Sequence, residues 1–139
     1  MSHGLKQLED GKQELLKSGN ILYYLQCEYL LGKVFSKIAL GAESINLSKL
    51  SKNIGFIVKN VLFAGKKAEG HFKQVIEVAG EIGAKAISGG AYLDLGLLYK
   101  AKKRKDQANE YISEAVKLFE QCEADVYLKQ ANEALESLQ

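Results

Sequence analysis

Apolar residues recur at spacings of three and four along almost the whole chain, the spacing that places them on one face of an α-helix. Alternation of period two, the mark of a half-buried strand, is missing; there is no Asn-Gly pair, and the Asp-Gly pair at Asp10-Gly11 is not flanked by such alternation. There is no proline. The pattern predicts an all-α protein. Helix-breaking clusters fall at Ser18-Gly19-Asn20, at Gly41 to Leu47, near Phe63 to Gly65, at Gly83, near Lys103 to Asp106 and near Cys122 to Ala124. About seven antiparallel helices of three to five turns follow, the last running from 125 to 138.

A repeat underlies the pattern. Gly19 and Gly32 are separated as Gly83 and Gly96 are, an offset of 64 (83 minus 19), and the same shift places Leu8 on Phe72, Leu31 on Leu95 and Phe35 on Tyr99. The first glycine of each pair suits a helix end with positive φ. The second lies inside a helix, where glycine costs roughly 1 kcal/mol relative to alanine. Close approach of a neighbouring helix is the physical reason to keep it there.

Composition narrows the function classes. A chain of 139 residues, nearly half apolar and about a quarter charged, is sized for a single domain over 1–139. Its net charge of +2 is low for a general nucleic-acid binder. No stretch reaches the ~20 apolar residues that span a bilayer, and the start lacks the charged and apolar regions of a signal peptide. Cys27 and Cys122 are far apart and without a neighbouring metal-ligand pattern, which points to a reducing, cytoplasmic setting.

The residues Tyr92, Leu95, Gly96 and Tyr99, followed by Ala108, Ile112 and Ala115, resemble the tetratricopeptide repeat, in which a large-x-x-Leu-Gly-x-x-Tyr helix pairs with an Ala-rich one. Leu31, Gly32 and Phe35 resemble the first-helix motif again. The resemblance implies a right-handed superhelix of antiparallel helices, with Gly96 and Ala108 at the point where two helices touch. Between the matching parts, residues 41–65 read as an irregular insert or as a degenerate repeat helix around Ile54, Gly55 and Val58; residues 125–138 read as a capping helix. The run from Lys66 to Leu138 resembles the C-terminal repeat region of bacterial signalling proteins that carry a cyclase domain and an AAA-type ATPase module. No phosphate-binding GxxxxGK[ST] motif is present.

Chemistry is sparse in the sequence. His71 has Glu69 and Glu77 near it in sequence but no second histidine or cysteine, and reads as a helix-surface residue. Cys27 reads as a small buried apolar residue. Neither an enzyme nor a cofactor or metal site is expected. The run Lys100 to Lys105 either offers a local field to anions or opposes the negative end of a helix dipole, and the second reading is favoured, with Asp106 capping the next helix.

The resemblance implies a scaffold that holds a protein or peptide partner in a concave groove. Between the packing positions lie Gly90, Leu93, Leu97, Lys100 and Ala101 on one helix and Gln26, Tyr29, Lys33, Ser36 and Lys37 on the other. Leu93 and Leu97 can equally be covered by a neighbouring helix. The alternative function is self-association through the tyrosine-rich helix at 20–40.

Overall fold

The computed structural model describes residues 3–41 and 54–139 and is all-helical over them: α1 His3–Lys17, α2 Ile21–Gly41, α3 Ile54–Glu81, α4 Lys85–Ala101, α5 Lys105–Gln121 and α6 Asp125–Glu136. Each helix packs on the next, and α2 also touches α4, as α4 touches α6. Two layers result. The helices α2, α4 and α6 form one, and α1, α3 and α5 the other.

Six described helices replace the expected seven because Phe63 to Gly65 is no break. The chain is helical from Ile54 to Glu81. Gly65 lies within this helix and is buried, and a Cβ there would come 3.1 Å from the Lys102 side chain. That contact is the end of a flexible side chain, so no helix backbone lies on Gly65, and a glycine here is read as a stop although the helix continues. Of the segment 41–65 expected as an insert or degenerate repeat, residues 42–53 lie outside the described residues, and 54–65 are the first turns of α3.

Four of the expected breaks, at 18–20, at Gly83, at 103–106 and at 122–124, are turns of one design. Gly19, Gly83, Lys103 and Glu123 have φ of +77°, +71°, +59° and +55°. After each, the N–H of Asn20, Ala84, Arg104 or Ala124 donates to the carbonyl five residues back, on Leu15, Ala79, Tyr99 or Phe119, at 2.8–3.0 Å. This is the Schellman closure, which satisfies carbonyls left open at a helix end. Asp106 does not cap α5. The N-cap position is Arg104, without a side-chain cap hydrogen bond, and Asp106 stands in the first turn, where its charge favours the positive end of the dipole.

The core is built from rings laid on glycines. A Cβ on Gly32 would sit 2.7 Å from the Phe72 ring, one on Gly89 2.8 Å from Phe119, and one on Gly96 2.5 Å from Ile112 Cγ1. Gly32 and Gly96 are 64 residues apart (96 minus 32), so the internal repeat is a packing repeat. Around these contacts Leu95, Tyr99, Ala108, Ile112 and Ala115 are fully buried, and Leu31 and Phe35 nearly so. Tyr92 is half-buried, its ring 5.5 Å from that of Tyr111. Each fully buried large side chain contributes roughly 1.5–3 kcal/mol of transfer free energy. The equivalence weakens at α1: Phe72 is fully buried, whereas Leu8, its counterpart by the same offset, is 45% exposed.

Gly96→Ala is expected to lower stability by about 1–3 kcal/mol, because neither the Ile112 backbone nor its side chain can yield without repacking. Gly70→Ala on α3 meets nothing within 4 Å and is expected to raise stability by up to about 1 kcal/mol. Urea midpoints for the two variants check the contrast; equal shifts would show that helix propensity alone decides both.

Candidate functional site

The inner layer carries a recess between α2, α4 and α6. Tyr29 and Lys33 of α2, Ala86, Ile87 and Gly90 of α4, and Tyr127 of α6 line a volume of 260 Å³. The Tyr29 hydroxyl donates to Asp94 Oδ2 at 2.6 Å, tying α2 to α4. Lys33 Nζ lies 4.6 Å from the centre of the Tyr29 ring and 3.9 Å from Asp94. Gly90 makes room for this: a Cβ there would come 2.8 Å from the Tyr29 hydroxyl oxygen. Burial raises the Asp94 carboxyl above its ordinary range, and the Tyr29 hydrogen bond and the Lys33 charge offset this only in part. Tyr29 is itself pushed upward, first by burial and then by the neighbouring Asp94 charge.

The expected groove residues divide into three groups. Tyr29 and Lys33 line the recess, and Gln26 and Lys37 stand exposed along α2. Lys100 is half-buried and donates to Ser137 Oγ at 2.6 Å beyond the end of α6, while Leu97 is 36% exposed. Leu93 does not face a groove. At 6% exposure it belongs to the core, and Ser36, expected on the other helix, is buried as well. The sequence reading passed over Asp94, which stands in the place on α4 that faces Tyr29.

A second polar constellation lies on the other side of α2. Lys12 of α1 and Glu28 of α2 have side chains only 5% and 3% exposed, and their charged atoms are 2.7 Å apart. Glu28 Oε2 also lies 2.6 Å from His71 Nδ1 of α3, and Glu9 pairs with Lys12 at 2.6 Å. His71 is therefore not a surface residue: it is largely enclosed, stacked on Phe35 with ring centres 5.6 Å apart. Burial alone opposes ionisation of Glu28, but hydrogen bonds from His71 and Lys12, with the charge of Lys12, outweigh it and hold the carboxyl below its usual range. Burial likewise lowers Lys12, and its bonds to Glu28 and Glu9 overcome that and raise it. Tyr24 nearby is pushed up to about 12, by burial and then by Glu28. His71, Phe35, Leu31, Lys67, Lys6 and Glu9 line part of a recess of 420 Å³ over this cluster.

A signal for this network lies in the repeat. Adding 64 takes Lys12 to Ile76 and Glu28 to Tyr92, two residues packed against the core. The ion pair thus replaces an apolar pair one repeat earlier.

The basic run is internally engaged. Lys102 and Arg104 approach Glu69 Oε2 at 3.8 and 3.7 Å, Arg104 lies 4.5 Å over the Tyr99 ring, and the Tyr99 hydroxyl donates to Glu69 Oε1 at 2.8 Å. Burial tends to raise Glu69, but hydrogen bonds from Lys73 and Tyr99, with the nearby positive charges, hold it below its ordinary value. Lys102 and Arg104 are thus held near Glu69 of α3, and Lys100 near Ser137 just past α6.

Cys27 and Cys122 are free and half-buried. Among the described residues no three His, Cys, Asp or Glu side chains come together to hold a metal ion, and no helix is long and apolar enough to cross a membrane. No family model, curated protein or solved structure matches the chain.

Because Glu28 is depressed in the folded state, its contribution to stability is present above the unfolded carboxylate pKa and is lost as pH falls through the lower folded value. Asp94, raised, works in the opposite sense and favours the folded state more as it protonates. Urea unfolding across the acid range is expected to show a shallower loss of stability for Glu28→Gln than for the unchanged protein, and a steeper one for Asp94→Asn. Lys12→Ala, which strands Glu28 with His71 alone, is expected to cost about 3 kcal/mol at neutral pH by the same measurement.

Proposed function

We propose that the chain is a non-catalytic helical-repeat scaffold of the tetratricopeptide type, which binds a segment of a partner protein in the groove of α2, α4 and α6. The observation that carries this reading is the recess itself. Three alternate helices line it, an aromatic face and a lysine stand together at its wall, and the Tyr29–Asp94 bond holds that wall rigid. A pre-formed concavity with a few convergent polar groups is the ordinary form of a peptide site. Packing of Gly32 and Gly96 under Phe72 and Ile112 agrees with the repeat type that the sequence resembles. On that resemblance, the scaffold we propose is a regulatory or adaptor part of a bacterial signalling assembly, working in the cytoplasm.

Self-association is the second reading. Leu22, Tyr23, Leu30, Val34 and Ile38 of α2 are all exposed large apolar residues, more than a solvated helix needs. Light scattering over a concentration series distinguishes the two: a monomer throughout favours the groove, and a concentration-dependent dimer favours pairing of copies.

For the groove, Ala86→Arg is the direct test, since Ala86 is exposed at the recess and its replacement leaves the core intact. Peptides selected from a random displayed library are expected to bind the Ala86→Arg protein about ten-fold more weakly or worse, with unchanged thermal melting. Selected peptides that bind both proteins equally would place the partner elsewhere.

A further inference from the structure

The same offset that relates Gly32 to Gly96 compares the surfaces of α2 and α4. Tyr23, Cys27, Leu30 and Val34 correspond to Ile87, Ala91, Asp94 and Leu98. On α4, where α2 and α3 pack, Ala91 and Leu98 are fully buried and Ile87 half-buried. On α2 the equivalent face is open: Tyr23 is 62% exposed, Leu30 58%, Val34 42%, and Ile38, one turn on, 50%. Tyr23, Cys27, Leu30 and Val34 are spaced by four, three and four, the seam that receives another helix. The far edge of the layer is finished differently. There α6 presents Lys129, Asn132, Glu133 and Glu136 to solvent, with Val126 and Tyr127 exposed in its first turn.

Charge says which helix fits. The exposed ionic side chains of α2 are Lys37, one turn from Val34 and next to Ile38, and Lys33, one turn from Leu30 and also 3.9 Å from Asp94 in the recess; the helix's single acid, Glu28, is buried against Lys12 and His71. A second copy of α2 laid on this seam brings lysine with no accessible acid to meet it. We infer that the open face of α2 docks an amphipathic helix of another protein, apolar along its contact stripe and carrying glutamate or aspartate on the border that meets Lys33 and Lys37. This face adjoins the recess between α2, α4 and α6 along Lys33, which lines both. Carboxylates at the border supply the steering and register that an apolar stripe alone does not give.

The test uses the whole chain and two fluorescent helical peptides of about 20 residues, each with a leucine seam, one flanked by glutamates and the other by lysines. The acidic peptide is expected to bind about ten-fold more tightly than the basic one or better, and to lose that binding in Leu30→Arg, a substitution at an exposed position that leaves the circular dichroism melt unchanged. Lys37→Glu, which lies outside the recess, is expected to abolish the preference between the peptides. Ala86→Arg, which fills the recess, is expected to leave acidic-peptide binding as it is, so failure of the groove reading and failure of this one are separable. Equal affinity for both peptides, no binding of either, or unchanged binding in Leu30→Arg overturns the inference. So does a dimer by light scattering that Leu30→Arg turns into a monomer, which assigns the face to a second copy.

Discussion

A ring or branched chain lying on a bare backbone sets the geometry of this fold. Phe72 over Gly32, Ile112 over Gly96 and Phe119 over Gly89 bring successive helices closer than any Cβ permits. Each contact fixes a separation and a register at once, since the large group fits only above its own glycine. The alternation of layers follows: α3 is held against α2, and α5 against α4, leaving the opposite sides of α2 and α4 to meet each other and α6. Glycine inside a helix is locally unfavourable. Here the dispersion and burial gained by a whole side chain offset that cost at each crossing.

Where this device is absent, the protein uses charge. At the α1–α2 crossing Lys12 and Glu28 stand where the next repeat has Ile76 and Tyr92, and the carboxylate is satisfied from two sides by Lys12 and His71. A buried ion pair is rarely a strong net stabiliser, because desolvation consumes most of the attraction. It is strict about geometry, however. An apolar seam tolerates a slide along the helix axis, whereas the Glu9–Lys12–Glu28–His71 chain allows α1 only one register. With Leu8 and Leu16 exposed, that polar chain and the partial burial of Leu15 hold α1 in place.

The helices that follow the glycine rule were the ones legible in the sequence. Gly96 with Ala108, Ile112 and Ala115 stood out because small and large residues recur at fixed spacing, and all are buried as that spacing requires. Gly65 misled because glycine also occurs inside helices, and here α3 simply continues through it. Leu93 was misplaced because helical periodicity gives the angle of a side chain but not the presence of another helix on that side. His71 and Asp94 were beyond pattern reading, since their partners, Glu28 and Tyr29, are 43 and 65 residues away in the chain. Cross-repeat comparison came nearer than local pattern, for it marks Lys12 and Glu28 as polar intrusions into apolar positions.

The turns closing α3, α4 and α5 place their left-handed residues at Gly83, Lys103 and Glu123, with the same hydrogen-bond closure each time. The interval is 20 residues (103 minus 83, and 123 minus 103), so this part of the chain is a string of equal modules, each one helix plus one identical joint. At two of these three joints a lysine or a glutamate bears the left-handed conformation that glycine adopts without strain, so what the joints share is the interval and the hydrogen-bond closure rather than the residue type.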